Sequence, residues 1–299
     1  MPLKGVFTAS LTPLNNDLSI DFPRLIRHAR NLLEKGSDGL ALLGTTGEAN
    51  AFSVEERVEL LEVTGKSDLP KDRIMIGTGC CALPDTVRLS RFALDCGFRH
   101  LLVLPPFYYK NLTDQGLEAY FSRLIDQLDT DEAKIILYNF PKLTGVPFSL
   151  PLLENLIIKY PSVISGIKDS SGDFENMRKM CHGLPGFSVF AGTEKYLLDI
   201  LKIGGAGCIS ATANITCSLS AEIYRNFASG EPAEALQEKL TSIRTAMDAF
   251  PLIGMLKRMM QHRENESGWQ NVRPPNVPMT AEDYQILAEK LEKLGIRHS

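Results

Sequence analysis

The chain has 299 residues, 44% hydrophobic and 23% charged, with a formal net charge of −4, ordinary proportions for a folded, water-facing chain whose core needs neither disulfides nor metal. The length suits two domains or one α/β barrel, and the absence of any Lys/Arg block argues against nucleic-acid or membrane-surface binding. No apolar run is long enough for a bilayer span or, at MPLKGVFTASLTPL, for a signal peptide, so the expected compartment is the cytoplasm.

In chain order, GVFTASL (5–11) reads as a strand, apolar without alternation, as parallel strands buried on both faces are. DFPRLIRHARNLLEKG (21–36) follows, with Phe22, Leu25, Ile26, Ala29, Leu32 and Leu33 at helical spacing and a stop at Gly36. DGLALLG (38–44) is the second strand, and SVEERVELLEV behind it opens with a capping box, Ser53 and Glu56. The alternation continues with strand RIMIGTG (73–79) and helix DTVRLSRFALDCG, then HLLVLP (100–105) and LEAYFSRLIDQL. Next come AKIILYNF (133–140) with SLPLLENLIIKY, and VISGIKD (163–169) with FENMRKMCHG. The series closes with FSVFAG (187–192) and EKYLLDILKIGG, then AGCISAT (206–212) and LSAEIYRNFASG. Eight strand–helix units predict a (β/α)8 TIM barrel over residues 1–229.

Beyond Gly230 the alternation stops. EPAEALQEKLTSIRTAMDAF, PLIGMLKRMMQH and TAEDYQILAEKLEKLG are helical, the last capped by Thr280, and proline-rich WQNVRPPNVPM joins the final two. Residues 230–299 are read as a C-terminal helical extension packed on the barrel. No internal repeat or low-complexity segment is present.

A barrel builds its active site from the C-terminal ends of its strands, which directs attention to GTTGE (44–48), PPFYY (105–109), YNFP (138–141), Lys168, Gly192, Ser210 and Thr212. Lysine at the end of a buried strand is paired or has chemistry to do. An ammonium stripped of water yields free amine more readily, and an amine facing a ketone gives an imine, an electron sink for making or breaking a C–C bond. The competing reading pairs Lys168 with Asp169 or Glu48 as a bridge between strands. Tyr138 ends the neighbouring strand and is placed to relay a proton; otherwise it caps the core with its hydroxyl in water. GTTGE offers a bend, two hydroxyls and exposed N–H groups that suit a carboxylate, or else is a plain strand-to-helix turn.

Together, GTTGE, YNFP and GIKD, in that order on a (β/α)8 pattern with VRPP before the last helix, resemble the dihydrodipicolinate synthase / N-acetylneuraminate lyase superfamily over essentially the whole chain. The resemblance implies class I, Schiff-base chemistry between pyruvate, or a pyruvate-yielding 2-oxo acid, and an aldehyde. It implies no metal and no cofactor beyond the covalent imine on lysine. Lys168 matches the imine-forming lysine, Tyr138 the proton-relay tyrosine, and Thr45, Thr46 and Gly47 the carboxylate turn. Tyr108 matches an aromatic lent to a neighbouring subunit, which implies a homotetramer built as a dimer of dimers. The remaining expected substrate contacts are Leu143, Ser170, Gly192, Glu194, Ser210 and Ala211.

Within the superfamily, synthases carry an arginine five residues after the tyrosine, to grip the carboxylate of aspartate semialdehyde. This chain has Leu143 there, with Lys142 beside it. N-acetylneuraminate lyases carry an acidic pair after strand seven, where this chain reads GTEK (192–195), and follow the lysine with an aromatic and a threonine, where it has Asp169 and Ser170. The reading therefore favours an aldolase for a 2-keto-3-deoxy sugar acid, with dihydrodipicolinate synthase as runner-up, N-acetylneuraminate lyase as a further alternative, and a catalytically silent binding or regulatory relative as the non-enzyme alternative.

Other motifs carry less. GTGCCA (77–82) fits a dinucleotide pattern, but Asp95 falls in a helix instead of ending the next strand. His28, His100, His182, His262 and His298 share no ligand spacing, with His28 and His182 read as surface or packing residues. Cys80, Cys81, Cys96, Cys181, Cys208 and Cys217 lack C-x-x-C spacing and are read as reduced thiols. KRMMQH is read as core or subunit interface.

Overall fold

Eight short apolar segments pair in parallel, each with the next in sequence: β1 (Gly5–Ala9), β2 (Gly39–Leu42), β3 (Ile74–Gly77), β4 (His100–Val103), β5 (Lys134–Asn139), β6 (Ile164–Asp169), β7 (Ser188–Ala191) and β8 (Gly207–Ser210). β8 pairs back onto β1 through Gly5↔Gly207 to Thr8↔Ser210, which closes the barrel and leaves no sheet edge. This is a computed structural model, and it describes residues 3–296; residues 1–2 and 297–299, His298 among them, lie outside the described residues.

The helices are α1 (Phe22–Glu34), α2 (Val54–Lys66), α3 (Leu83–Asp95), α4 (Asp114–Leu128), α5 (Pro141–Thr144), α6 (Leu150–Lys159), α7 (Phe174–Gly183), α8 (Leu197–Lys202) and α9 (Ala213–Ser229), followed by α10 (Glu234–Met247), α11 (Leu252–Glu264) and α12 (Ala281–Lys293). The expected (β/α)8 barrel with a C-terminal helical extension is what the chain forms. The Ser53–Glu56 capping box is present, and Thr280 accepts from Asp283 N at 3.0 Å. Strand ends are a residue or two tighter than the apolar runs, α5 is an added single turn, and α9 begins at Ala213 instead of Leu219.

Strand residues alternate between two cores. Phe7, Met75, Leu102, Ile136, Tyr138 and Phe190 point into the barrel, with Phe7 edge-on to Phe190 at 5.7 Å. Val6, Leu40, Ile76, Leu137, Ile167 and Cys208 point outward to the helices. A third core belongs to the extension, where Met255, Leu256, Met259, Met260, Trp269, Leu287 and Leu291 pack with Leu11 and Ala211 from the barrel. KRMMQH is therefore core at its methionines.

His28 of α1 is buried at this seam, its ring 4.9 Å from Trp269 and its Nε2 donating to Asn214 Oδ1 at 2.8 Å. Burial pushes the His28 imidazole down to about 4. His182 is exposed. The six cysteines are free, Cys80 taking a contact from Arg57 Nη1 at 3.0 Å and Cys81 lying exposed.

Candidate active site

The register of the barrel decides which strand-end side chains share the mouth. Lys168 stands opposite Tyr138 on one side and Phe190 on the other, and both of those point inward. Ile167 points outward, so Lys168 points in. It is only 4% exposed, and its Nζ lies 4.2 Å from the centre of the Tyr138 ring. Tyr138, itself 3% exposed, has its ring stacked on Phe140 at 5.8 Å. Its hydroxyl lies 3.4 Å from Thr45 Oγ1, a contact that spans the mouth from β5 to the turn after β2. A small pocket there is lined by Leu43, Gly44, Thr45, Gly79, Leu104 and Tyr138.

The alternative of a strand-bridging ion pair for Lys168 does not survive. Asp169 points away and accepts from Asn139 Nδ2 (3.3 Å), Ser171 N (2.7 Å) and Asn176 Nδ2 (2.6 Å). Glu48 is paired with Lys257 of α11. No ion pair involves Lys168 among the described residues; its amine faces an aromatic ring.

Thr45 and Thr46 sit in the turn that follows β2, Thr46 buried at 4% exposure. The carbonyl of Gly47 accepts from Thr12 Oγ1 at 2.9 Å, and a Cβ on Gly47 would lie 3.1 Å from both Ser10 O and Thr12 Oγ1. Across the mouth, Gly192 N donates to Asp169 O at 2.7 Å, and a Cβ on Gly192 would collide with Ser170. Gly192 and Ser170 therefore meet at the ends of β6 and β7, beside Lys168.

Other expected contacts lie elsewhere. Ser210 has the outward parity of Cys208, and its hydroxyl donates to Glu194, as does that of Thr212. Thr216 adds a third donor at 3.3 Å. Glu194 is fully buried, and Arg244 of α10 closes the cluster, with Nη1 3.3 Å from Glu194 Oε2 and 3.1 Å from Thr212 Oγ1. Arg244 Nε donates to Asp248 at 2.6 Å, and Asp248 accepts from Lys195 at 2.7 Å. Burial opposes the charge of Arg244, but Glu194 and Asp248 outweigh it and hold the guanidinium above its ordinary value. Asp248 loses some hydration, yet Lys195 and Arg244 keep its carboxyl below the usual range. The Cys208 thiol beside this cluster is driven well up, by burial first and Glu194 second.

Glu194 and Ser210 thus read each other behind the β7–β8 wall, while Ala211 packs into the extension's core. Leu143, on α5, is 62% exposed, and Tyr108, in the loop after β4, is 74% exposed with its ring edge-on to Tyr109 at 5.3 Å. Arg244 and Lys257 escaped the sequence reading. Each answers a buried acid in a strand-end motif, and Lys257 betrays itself by sitting on the apolar face of GMLKRMM.

A buried amine, an aromatic ring facing it and a turn bearing two hydroxyls thus meet at the C-terminal mouth of a closed (β/α)8 barrel. Among the described residues no cluster of three or more His, Cys, Asp or Glu is placed to hold a metal ion. Residues 2–294 match the dihydrodipicolinate synthetase family, and the chain belongs to it. A relative from Chloroflexus aurantiacus, described as an uncharacterized DapA-like lyase, is 32% identical over 294 residues, 97% of each chain. The dihydrodipicolinate synthase structure from Agrobacterium tumefaciens superposes with a TM-score of 0.89 at 29% identity, covering 97% of this chain and 99% of that one. YagE, an E. coli K12 prophage protein of the same family solved in complex with pyruvate, gives 0.89 at 26% identity over 98% of both chains. The family's members are pyruvate-dependent lyases and aldolases that work through a lysine Schiff base without metal or cofactor, and this chain is an enzyme of that class.

Proposed function

We propose that this enzyme makes or breaks a C–C bond between pyruvate and an aldehyde through an imine on Lys168, and that its substrate is a 2-keto-3-deoxy sugar acid. The observation that carries the mechanism is the Lys168 amine, buried, free of any carboxylate and facing Tyr138 at 4.2 Å. The amine attacks the ketone carbon and Tyr138 gives a proton to the departing oxygen, so that water leaves and an iminium remains. Loss of a C3 proton gives the enamine, whose C3 attacks the aldehyde carbon while the new alkoxide takes a proton; cleavage is the reverse. Thr45 and Thr46 are assigned to the carboxylate, and Gly192 and Ser170 to the opposite side of the adduct.

The substrate reading rests on Leu143. Its exposed apolar side chain offers no charge where synthases place an arginine, and losing a guanidinium–carboxylate grip costs on the order of 2 kcal/mol of binding. The nearby Lys110 is already committed to Thr144 O at 2.6 Å and to Phe107 O. The runner-up, a 4-hydroxy-tetrahydrodipicolinate synthase, is supported by the likeness to the A. tumefaciens enzyme. Tyr108, exposed on its loop, is assigned to a second copy's mouth within a homotetramer. No helix among the described residues is long and apolar enough to cross a membrane, and the cytoplasm is the compartment this reading assigns.

Borohydride trapping with pyruvate tests the mechanism. The expected product is one pyruvate adduct, mapped to Lys168 and absent from Lys168→Ala, together with deuterium exchange at the pyruvate methyl in D2O. A folded sample that forms no adduct refutes the assignment. A panel of aldehydes, aspartate semialdehyde included, then separates aldolase from synthase.

A further inference from the structure

Lys257, on α11, has no exposed surface, and its ammonium is paired with Glu48, whose side chain is equally enclosed. Both groups have further hydrogen-bond partners. Lys257 Nζ also donates to Asn271 O at 2.7 Å, and the second Glu48 oxygen accepts from Arg273 N at 2.9 Å and Asn276 Nδ2 at 3.4 Å. Arg273 itself reaches Ala51 O at 2.9 Å and the carboxylate of Glu56, with its guanidinium 4.4 Å from the Phe52 ring. Apart from the Lys257–Asn271 bond, which lies within the extension, these contacts tie the extension to the stretch 48–56, which continues directly from Thr45 and Thr46.

Stability alone is a poor reason for such a pair, since a well-packed apolar pair of the same volume generally serves as well. A buried pair supplies direction. Glu48 holds a left-handed backbone, φ 56°, which a non-glycine residue keeps only where its surroundings impose it. The geometry points to Lys257 as a positioning residue: through Glu48, the C-terminal extension fixes the turn that presents Thr45 and Thr46 to the 2-oxo acid carboxylate. This rests on the Schiff-base reading above.

The test compares wild type, Lys257→Met, Glu48→Gln and the double variant by thermal unfolding, by the pyruvate concentration that half-saturates trapping, and by methyl deuterium exchange. Leu291→Ala, which hollows the extension's own core, controls for lost stability. Lys257→Met alone strands a buried carboxylate and is prone to misfold, so the charge-free double variant decides the matter. The double variant is expected to fold with near-native stability, to need about ten-fold more pyruvate and to exchange about ten-fold more slowly, because small misplacements in a site are costly. Leu291→Ala is expected to lose stability but keep both readouts within about two-fold, since it leaves the turn's geometry intact.

Wild-type saturation and exchange in the double variant would overturn the positioning role. So would equal losses in Leu291→Ala, or a double variant that cannot fold, which would make the pair a folding requirement. Failure of the wild type to form any adduct would instead strike the Schiff-base reading, and is seen before any variant is made.

Discussion

Removing the guanidinium of Arg244 is the most direct probe of how the strand-seven acid is held. In Arg244→Met, Glu194 keeps the hydroxyls of Ser210, Thr212 and Thr216 but loses the one cation paired with it among the described residues, while Asp248 keeps Lys195. Glu194 is 0% exposed and Arg244 only 14%. Breaking such a pair from one side costs about 3–5 kcal/mol, and the three remaining donors place this case near the lower end. At about 2.1 cal/mol/K per residue, a chain of 299 residues unfolds with an entropy of about 0.6 kcal/mol/K, so about 3 kcal/mol lowers Tm by about 5 °C. Differential scanning fluorimetry and urea titration read the loss, and Glu194→Gln/Arg244→Met should recover most of it. A fall of less than about 1 °C, which corresponds to about 0.6 kcal/mol, would mean that water or the mouth reaches the carboxylate. The outward-facing placement of Glu194 would then be wrong, and its assignment to substrate would return.

Three further outcomes are expected. Tyr138→Phe should still be trapped on Lys168, with adduct formation slowed about 10²- to 10⁴-fold, the range of a lost general acid–base group; stopped-time trapping measures it. Leu143→Arg, on an exposed single-turn helix, should leave urea stability within about 0.5 kcal/mol and raise condensation of pyruvate with aspartate semialdehyde about ten-fold, in a coupled assay, one added carboxylate grip being worth about 1.4 kcal/mol or more. His28 takes up its proton near 6.5 when unfolded but near 4 when folded, so the unfolded chain binds more protons in between; stability should fall as pH drops from about 6.5 to 4, by up to about 3 kcal/mol. His28→Gln should flatten that slope in urea titrations across the same window.

The barrel was legible because parallel strands covered on both faces must be apolar throughout, and eight such runs alternating with 3.6-periodic segments admit few other closures. The start of α9 was not. Ala213–Ser218 is rich in polar and β-branched residues that favour a helix weakly, and what makes it helical is tertiary: Asn214 accepts from Leu11 N at 3.2 Å and donates to Ala9 O at 2.8 Å. Lys168 and Tyr138 could be paired from sequence because consecutive strands are neighbours. Ser210 and Glu194 could not be assigned a side of the wall, because a motif carries no pleat register and a shift of one residue reverses the face. GTTGE announced a turn but not its anchor, since the cation that holds Glu48 arrives from a helix whose own pattern speaks only of core.

That separation has a consequence for how the chain is made. Glu48 and Lys257 stand 209 positions apart, so at roughly 5–20 residues per second the ribosome delivers the lysine about 10–40 s after the glutamate. By the end of that interval every strand of the barrel, β8 included, can already have left the ribosome, yet the Glu48 carboxylate of the GTTGE turn still has no lysine to accompany it into the interior. Vectorial synthesis therefore delivers the cation that accompanies Glu48 only after the strands of the barrel, with the last stretch of the chain.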